Sequence, residues 1–397
     1  MSYTLMRYLR RTAVLSIQIR SETTMSILTQ EDFGFRPPVA QWSKVIKEAE
    51  KIVGYPTSFM NLRWLLSDEF ANLAMHLRKV VDSNHPIVKT VKTLLYNEHN
   101  NLQPWGLVIL LLSKAVTPQQ PSLQANKIVE NQRILAELTE MIRTGHYVHR
   151  GLLNIPVTER NNGDTAMFAN KMAILIGDYL LVTANGMLAR LKNQDMSYLI
   201  STALRDLSEG EFFGQRDAQN IPLPGKPDNN NDEYVISSDT LPLEVLNTLG
   251  SPVREWTLRT MYNGGSLFGR GCQGAVLLAG LGLEEQENAY KFGCHLCLAW
   301  QAATEYQKIT SDTKDPFSLV SAPVLFALNK NIDLYNGIVQ NFSNIDFEQL
   351  RCDILKTDAV EKTKLLYVEN ASKAKSYIEM FGDSESTNTI KRLIKSL

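Results

Sequence analysis

The chain has no uninterrupted apolar run approaching the roughly 18–20 residues that cross a bilayer as a helix. Its longest, Gly106 to Leu112, is ended soon after by Lys114. No transmembrane segment is therefore expected. Cysteine is scarce, with four in 397 residues. A disulfide framework is excluded on that count. Cys294 and Cys297 form a CxxC pair, but no second pair or HxxxH follows to complete a zinc site. Core thiols on one helix face are the better reading of that pair. Excess charge of one sign is also missing. The formal net charge is -1, without the basic stripe of a nucleic-acid binder. Period-two alternation is almost absent, and Val235-Ile236 is too short for a strand.

Acid is missing from one place in particular. Met1 to Arg20 carries Arg7, Arg10, Arg11 and Arg20, interleaved with hydroxyl and apolar residues, and the first acid is Glu22. That composition is the mark of a mitochondrial transit peptide. It predicts a leader over about residues 1–25 and a matrix location, the alternatives being a disordered basic tail or a poor secretory signal.

Helical periodicity is present almost everywhere else. Apolar residues recur at three and four over 59–81, from 86 through Leu95, over Ile128 to His149, and over Phe168 to Leu191. Leu107 to Val116 is apolar all round, which predicts a buried helix. Met196 to Leu207, Glu255 to Leu281, Glu284 to Tyr306, Pro323 to Leu328 and a charged run from Phe347 to Ile378 continue the pattern. Residues 214–240 interrupt it with Pro222, Pro224, Gly225, Pro227 and Asn229 to Asp232. Because similar helices resume afterwards, this stretch predicts a flexible insertion. The fold class is all-α, with one domain over 40–397.

Three stretches, in order and in register, resemble the trans-polyprenyl diphosphate synthase family. Glu140 to His149 follows the helix that family reads as E-L-I-H-T-A-S-L-x-H. Phe168 to Leu180 (FANKMAILIGDYL) is nearly its F-G-N-K-x-A-x-L-x-G-D-F-L. Phe292 to Glu305 takes the place of its late G-x-x-L-G-x-A-F-Q-x-x-D-D. Gly54 to Phe59, Leu66 to Glu69 and His149-Arg150-Gly151 look like the non-catalytic, second-subunit branch of the animal decaprenyl-type enzymes. The resemblance implies an isoprenoid-synthase helical bundle.

It also implies chemistry for which this chain lacks the residues. The family ionises an allylic diphosphate, using magnesium held by carboxylates of two D-D-x-x-D helices. Here the first motif's acids fall on Arg150, Gly151 and Asn154, and the second's on Thr304, Glu305 and Lys308. Arginine is a permanent cation and cannot ligate a metal. Glycine offers no ligand, and asparagine only a weak neutral one. The family's basic clamp for isopentenyl diphosphate falls on Asn101 to Gly106, a later K-T pair on Asn263-Gly264, and a further lysine string on Ser318 to Pro323. None of these positions keeps its base. One arginine of a later pair persists near Glu159-Arg160.

What the resemblance then implies is a non-catalytic subunit with no catalytic or metal residue and no cofactor of its own. A hetero-oligomer, a heterotetramer, would include a catalytic subunit 1 that carries both aspartate motifs and magnesium. That partner would take the allylic and isopentenyl diphosphates, and the product would be the side chain of ubiquinone. The alternatives are a stand-alone prenyl-lipid-binding scaffold and an enzyme with unorthodox residues. Further expectations concern single residues. Asp178 reads as part of a buried polar network. Arg150 and Glu305 read as a pair across the cavity. His146 and His149 lack a third ligand. The glycines between Gly264 and Gly274 read as close helix packing, at a subunit interface.

Overall fold

In a computed structural model, residues 40–54, 104–117, 123–155, 164–227, 248–311, 316–342 and 345–397 are described. The leader, the helices expected over 59–81 and from 86 to Leu95, Glu159-Arg160 and the asparagine run lie outside them. The described residues form thirteen α-helices and one π turn. They are α1 (Ala40–Val53), α2 (Trp105–Val116), α3 (Leu123–Arg150), α4 (Asp164–Arg190), α5 (Gln194–Gly210), α6 (Pro252–Thr260), α7 (Ser266–Leu278), α8 (Leu283–Thr310), α9 (Ala322–Lys330), α10 (Ile332–Gln340), α11 (Phe347–Leu355), α12 (Ala359–Glu379) and α13 (Glu385–Lys395). Among them the only β pairing is an isolated bridge, Arg216 to Pro222.

The all-round apolar sequence of α2 makes it the centre of the larger core, with Trp105 through Ser113 all buried. Helices α1, α3, α7 and α13 surround it. Each buried leucine or isoleucine contributes about 1.5–3 kcal/mol, so Leu111→Ala would cost about 2–5 kcal/mol through the lost transfer energy and the cavity. A second core joins the C-terminal half of α8 to α9, α11 and α12. Helix α8 therefore runs through both.

Helix ends follow the local chemistry. Asn193 caps α5 by accepting from the Met196 N–H at 2.9 Å, Asn331 caps α10 and Ser384 with Thr387 forms a capping box on α13. The glycine-rich stretch does give close packing. A Cβ on Gly293 of α8 would sit 2.8 Å from the Gly269 Cα of α7, so the two helices touch backbone to backbone. Its placement at a subunit interface is corrected. Gly264, Gly265, Gly269, Gly271 and Gly274 are all buried inside the fold.

Residues 214–227 are not the free loop expected. Leu223 is buried, the Leu223 N–H donates to Gln215 O at 2.8 Å, and Asp217 accepts from the N–H groups of Gln219 and Ile221. Residues 228–247 lie outside the described set.

Candidate functional site

The C-terminal end of α3 and the last turns of α8 bring the two motif positions to one place. Arg150, Gln301 and Glu305 line the same cavity of about 70 Å³, together with Arg216, Arg259 and Glu211. The helical geometry is retained while the ligand chemistry is replaced.

At the first motif, Arg150 Nη1 donates to Asn263 Oδ1, and Arg150 Nε lies 3.4 Å from Glu211 Oε1. Glu211 Oε2 lies 3.2 Å from Arg216 Nη1. Burial lowers the Arg216 pKa, as do the nearby Arg150 and Arg259 cations, against the pull of Glu211. Gly151 closes the helix, its N–H donating to Tyr147 O and Val148 O. The Asn154 side chain donates to Ala218 O at 2.7 Å, and its backbone N–H donates to Gln219 Oε1 at 3.0 Å.

At the second motif, the Thr304 hydroxyl donates to Trp300 O within its own helix. Glu305, 5% exposed, accepts from Trp256 Nε1 at 2.8 Å, from the Ala322 N–H at 2.8 Å and from Gln301 Nε2 at 2.7 Å. It is a buried carboxylate that caps α9 through a backbone donor. The Lys308 carbonyl accepts from Arg351 at 2.6 Å. The expected Arg150–Glu305 pair is therefore corrected. Glu305 is drawn to Trp256 and the start of α9, while Glu211, just beyond α5, supplies the counter-charge for Arg150.

These residues do not fit a magnesium cluster. Such an ion takes oxygen ligands in near-octahedral array. Two cations, a glycine, an engaged amide, an engaged hydroxyl and one fully hydrogen-bonded carboxylate do not provide them. Among the described residues no group of three or more His, Cys, Asp or Glu converges as a metal site.

The stretch that the resemblance sets against the family's basic clamp ends in a buried aromatic ring. Trp105, at the end of the stretch where the basic clamp would be, is 2% exposed. It stacks on Phe268 at 5.2 Å, and the Arg143 guanidinium lies 4.0 Å from its ring centroid. The π turn Met261–Gly265 carries Gly264 at φ 140°, a conformation that favours glycine. A Cβ there would lie 2.5 Å from the indole. Burial opposes charge on Arg143, but Tyr147 and Glu140 outweigh it and raise the pKa. Glu140 accepts from the Gly106 N–H at 2.8 Å. Periodicity did not reveal this cluster, because Arg143 falls at an apolar helix position. Glu255, which is fully buried and paired with Arg259 at 2.8 Å, was also missed, although its i,i+4 spacing was a visible signal.

The remaining residues have local roles. His149 Nε2 lies 3.3 Å from both Ile174 O and Asp178 Oδ1. The Asp178 side chain is 59% exposed, which corrects its expected burial. Burial lowers His146 to about 3, with help from Arg150, His149 and Arg216. Cys294 and Cys297 are buried on α8, and burial pushes both thiols up to about 12.

An all-helical bundle with two converging motif positions on facing helices defines the class, and comparison with known proteins gives the family. The model of the polyprenyl synthetase family matches residues 105–316, and the chain belongs to that family. It is 33% identical over 371 residues to the human all trans-polyprenyl-diphosphate synthase PDSS2, covering 89% of this chain and 87% of that one. It is 26% identical to a probable mitochondrial hexaprenyl pyrophosphate synthase of Yarrowia lipolytica, covering 94% and 93% of the two chains. The fold is that of solved polyprenyl synthases. The heptaprenyl diphosphate synthase of Staphylococcus aureus superposes with a TM-score of 0.57 at 17% identity, covering 89% of this chain and 97% of that one. The decaprenyl diphosphate synthase of Rhodobacter capsulatus gives 0.54 at 15% identity, covering 86% and 98%.

Proposed function

We propose that this chain is the non-catalytic subunit of a heteromeric long-chain trans-polyprenyl diphosphate synthase. Its catalytic partner carries both aspartate motifs and the magnesium, binds the allylic and isopentenyl diphosphates, and elongates the side chain of ubiquinone. One observation carries the reading. The side chains of Arg150, Asn154, Thr304 and Glu305, at four of the six positions where a metal-binding acid would stand, are committed to the fold's own hydrogen bonds or ion pairs, Glu305 above all. The likeness to PDSS2 and to prenyl diphosphate synthases supports the pathway. The acid-free arginine leader and the mitochondrial naming of the Yarrowia relative support a mitochondrial matrix location.

The test is reconstitution. The full chain, a catalytic synthase subunit from the same source, and both together are supplied with magnesium, an allylic diphosphate and labelled isopentenyl diphosphate. The chain alone yields no product, and its addition raises the partner's output or alters product length. Turnover by this chain alone overturns the reading.

A further inference from the structure

We propose that residues 211–225 form a latched lid that shuts this chain's own cavity to diphosphates. The inference stands apart from the heteromer reading, since it concerns a wall of the cavity and not a partner. Glu211, Phe213, Arg216 and Pro222 line the cavity together with Glu305 and Ser318. The segment that carries them is a small hairpin. Arg216 bridges to Pro222, the Leu223 N–H donates to Gln215 O at 2.8 Å, and the Asp217 N–H donates to Ile221 O at 2.9 Å. Asp217 Oδ1 accepts from the Gln219 and Ile221 N–H groups, both at 2.8 Å, which folds the tip as an Asx turn. The Arg216 guanidinium donates to Asn220 O at 2.7 Å and to Gly210 O at 2.6 Å, tying the tip back to the end of α5. Bonded to itself in this way, the hairpin lifts only as a unit.

Two attachments carry the hairpin across the cavity. Its base meets α6. Arg259 Nη2 donates to Leu223 O at 3.0 Å and Nη1 to Phe213 O at 3.3 Å, so one guanidinium grips both arms. Buried Glu255 holds Arg259 at 2.8 Å and accepts from the Gly225 N–H at 3.0 Å, and the Leu223 side chain is part of the second core. The tip meets the end of α3. The Asn154 side chain donates to Ala218 O, the Asn154 N–H donates to Gln219 Oε1, and Gln219 Nε2 donates back to Asn154 O at 3.0 Å. These bonds are exposed, so water competes for them and each is weak. The base is therefore the hinge and the tip is the latch. Closure is chemical as well as steric. Glu211 Oε1 lies 3.4 Å from Arg150 Nε, so a carboxylate of the segment already takes the guanidinium that an entering phosphate group would seek. The same carboxylate meets the cation that the hairpin brings, Arg216, at 3.2 Å.

The test uses the full chain with its exposed cysteine removed by Cys352→Ser and a reporter thiol placed on the cavity wall by Ser318→Cys. The probe is sulfonatoethyl methanethiosulfonate, a negatively charged thiol reagent, and mass spectrometry locates the labelled positions. The reporter is expected to label at least about tenfold more slowly than Cys352 does in the unsubstituted chain, a difference of about 1.4 kcal/mol. Asn154→Ala combined with Gln219→Ala removes the bonds at the tip and is expected to raise the reporter's rate about tenfold. The lost bonds are exposed, so thermal unfolding should be unchanged, and the buried Cys272, Cys294 and Cys297 should stay unlabelled. A reporter that labels as fast as Cys352 before any bond is cut would show the cavity to be open. A rate that the double variant leaves unmoved would show that the tip is no latch. Labelling of the three buried cysteines together with the reporter would trace access to loosening of the whole fold. Each of these results overturns the proposal, and none bears on the heteromer reading, which reconstitution tests separately.

Discussion

The two degenerate motif positions line one cavity but have been absorbed by the fold in different ways. At the end of α3, Arg150 and Asn154 reach partly solvated partners that lie between α5 and residue 219. At the end of α8, Thr304 and Glu305 are buried, and Glu305 holds a side chain of α6 and the first turn of α9. The first replacement put charges where water still screens them. The second makes its position a buried bracket between helices. The two motif positions therefore share no single structural signature. Where burial is shallow the position drifts to polar bridging. Where burial is deep a carboxylate survives only if backbone and indole donors satisfy it.

The largest test of this difference is Glu305→Ala. It strands the Trp256 N–H and the Ala322 N–H in the interior, each an unsatisfied donor costing about 1–3 kcal/mol. A loss of about 3–5 kcal/mol in urea-unfolding free energy is expected. A loss below about 1 kcal/mol would mean that Glu305 is not the bracket described.

The pH dependence should come from the first region. His146 sits beside Arg150 with its pKa lowered from 6.5 to about 3. Between those values the unfolded chain takes up a proton that the folded chain refuses, so stability falls as pH falls through this window. The His146 contribution is fully present above pH 6.5 and is lost progressively toward pH 3. About 3 kcal/mol should be gone by pH 4.5, and His146→Gln should flatten that part of the curve. An unchanged slope in the variant would remove His146 from the account.

Arg150→Ala sharpens the contrast with Glu305. Its partners Glu211 and Asn263 remain accessible to water, so the expected cost is about 1 kcal/mol. A cost matching that of Glu305→Ala would erase the distinction between the two regions.

Periodicity made most of the framework legible. The apolar spacing located α2, α3, α4, α5 and α8 to within a few residues, because one buried face dictates the pattern. It did not separate α11 from α12. The break at Lys356 to Asp358 has neither glycine nor proline. It is held by Thr357, whose hydroxyl donates to Ile354 O and accepts from the Ala359 N–H. The missing metal ligands were legible residue by residue, since substituted side chains need no fold to be read. Their new partners were not. Glu211 and Trp256 are distant in sequence from the charges they meet, and spacing carries no record of such contacts. Asp178 was misplaced for a related reason. Helix α4 is apolar on both sides, so composition alone could not say which side faces out.

The smallest effect is expected at the third position of the first motif, where the family's acid can be put back. Asn154→Asp replaces a donor with an acceptor opposite the Ala218 carbonyl, now 2.7 Å from the amide nitrogen. The site is exposed, so water can take up the lost bond and the cost should stay near or below about 0.5–1 kcal/mol. The substitution brings no catalytic gain. The neighbouring position still holds a glycine, Arg150 still places a cation in the cavity, and Trp105 still stands where a diphosphate clamp would be. Adding Arg150→Asp and Gly151→Asp rebuilds all three acids of the first motif but leaves Thr304 and Lys308 at the second. Turnover assayed with magnesium and both diphosphates should therefore remain at background for the single and the triple variant alike. Product formation by the triple variant alone would show that the second motif position does not limit the chemistry.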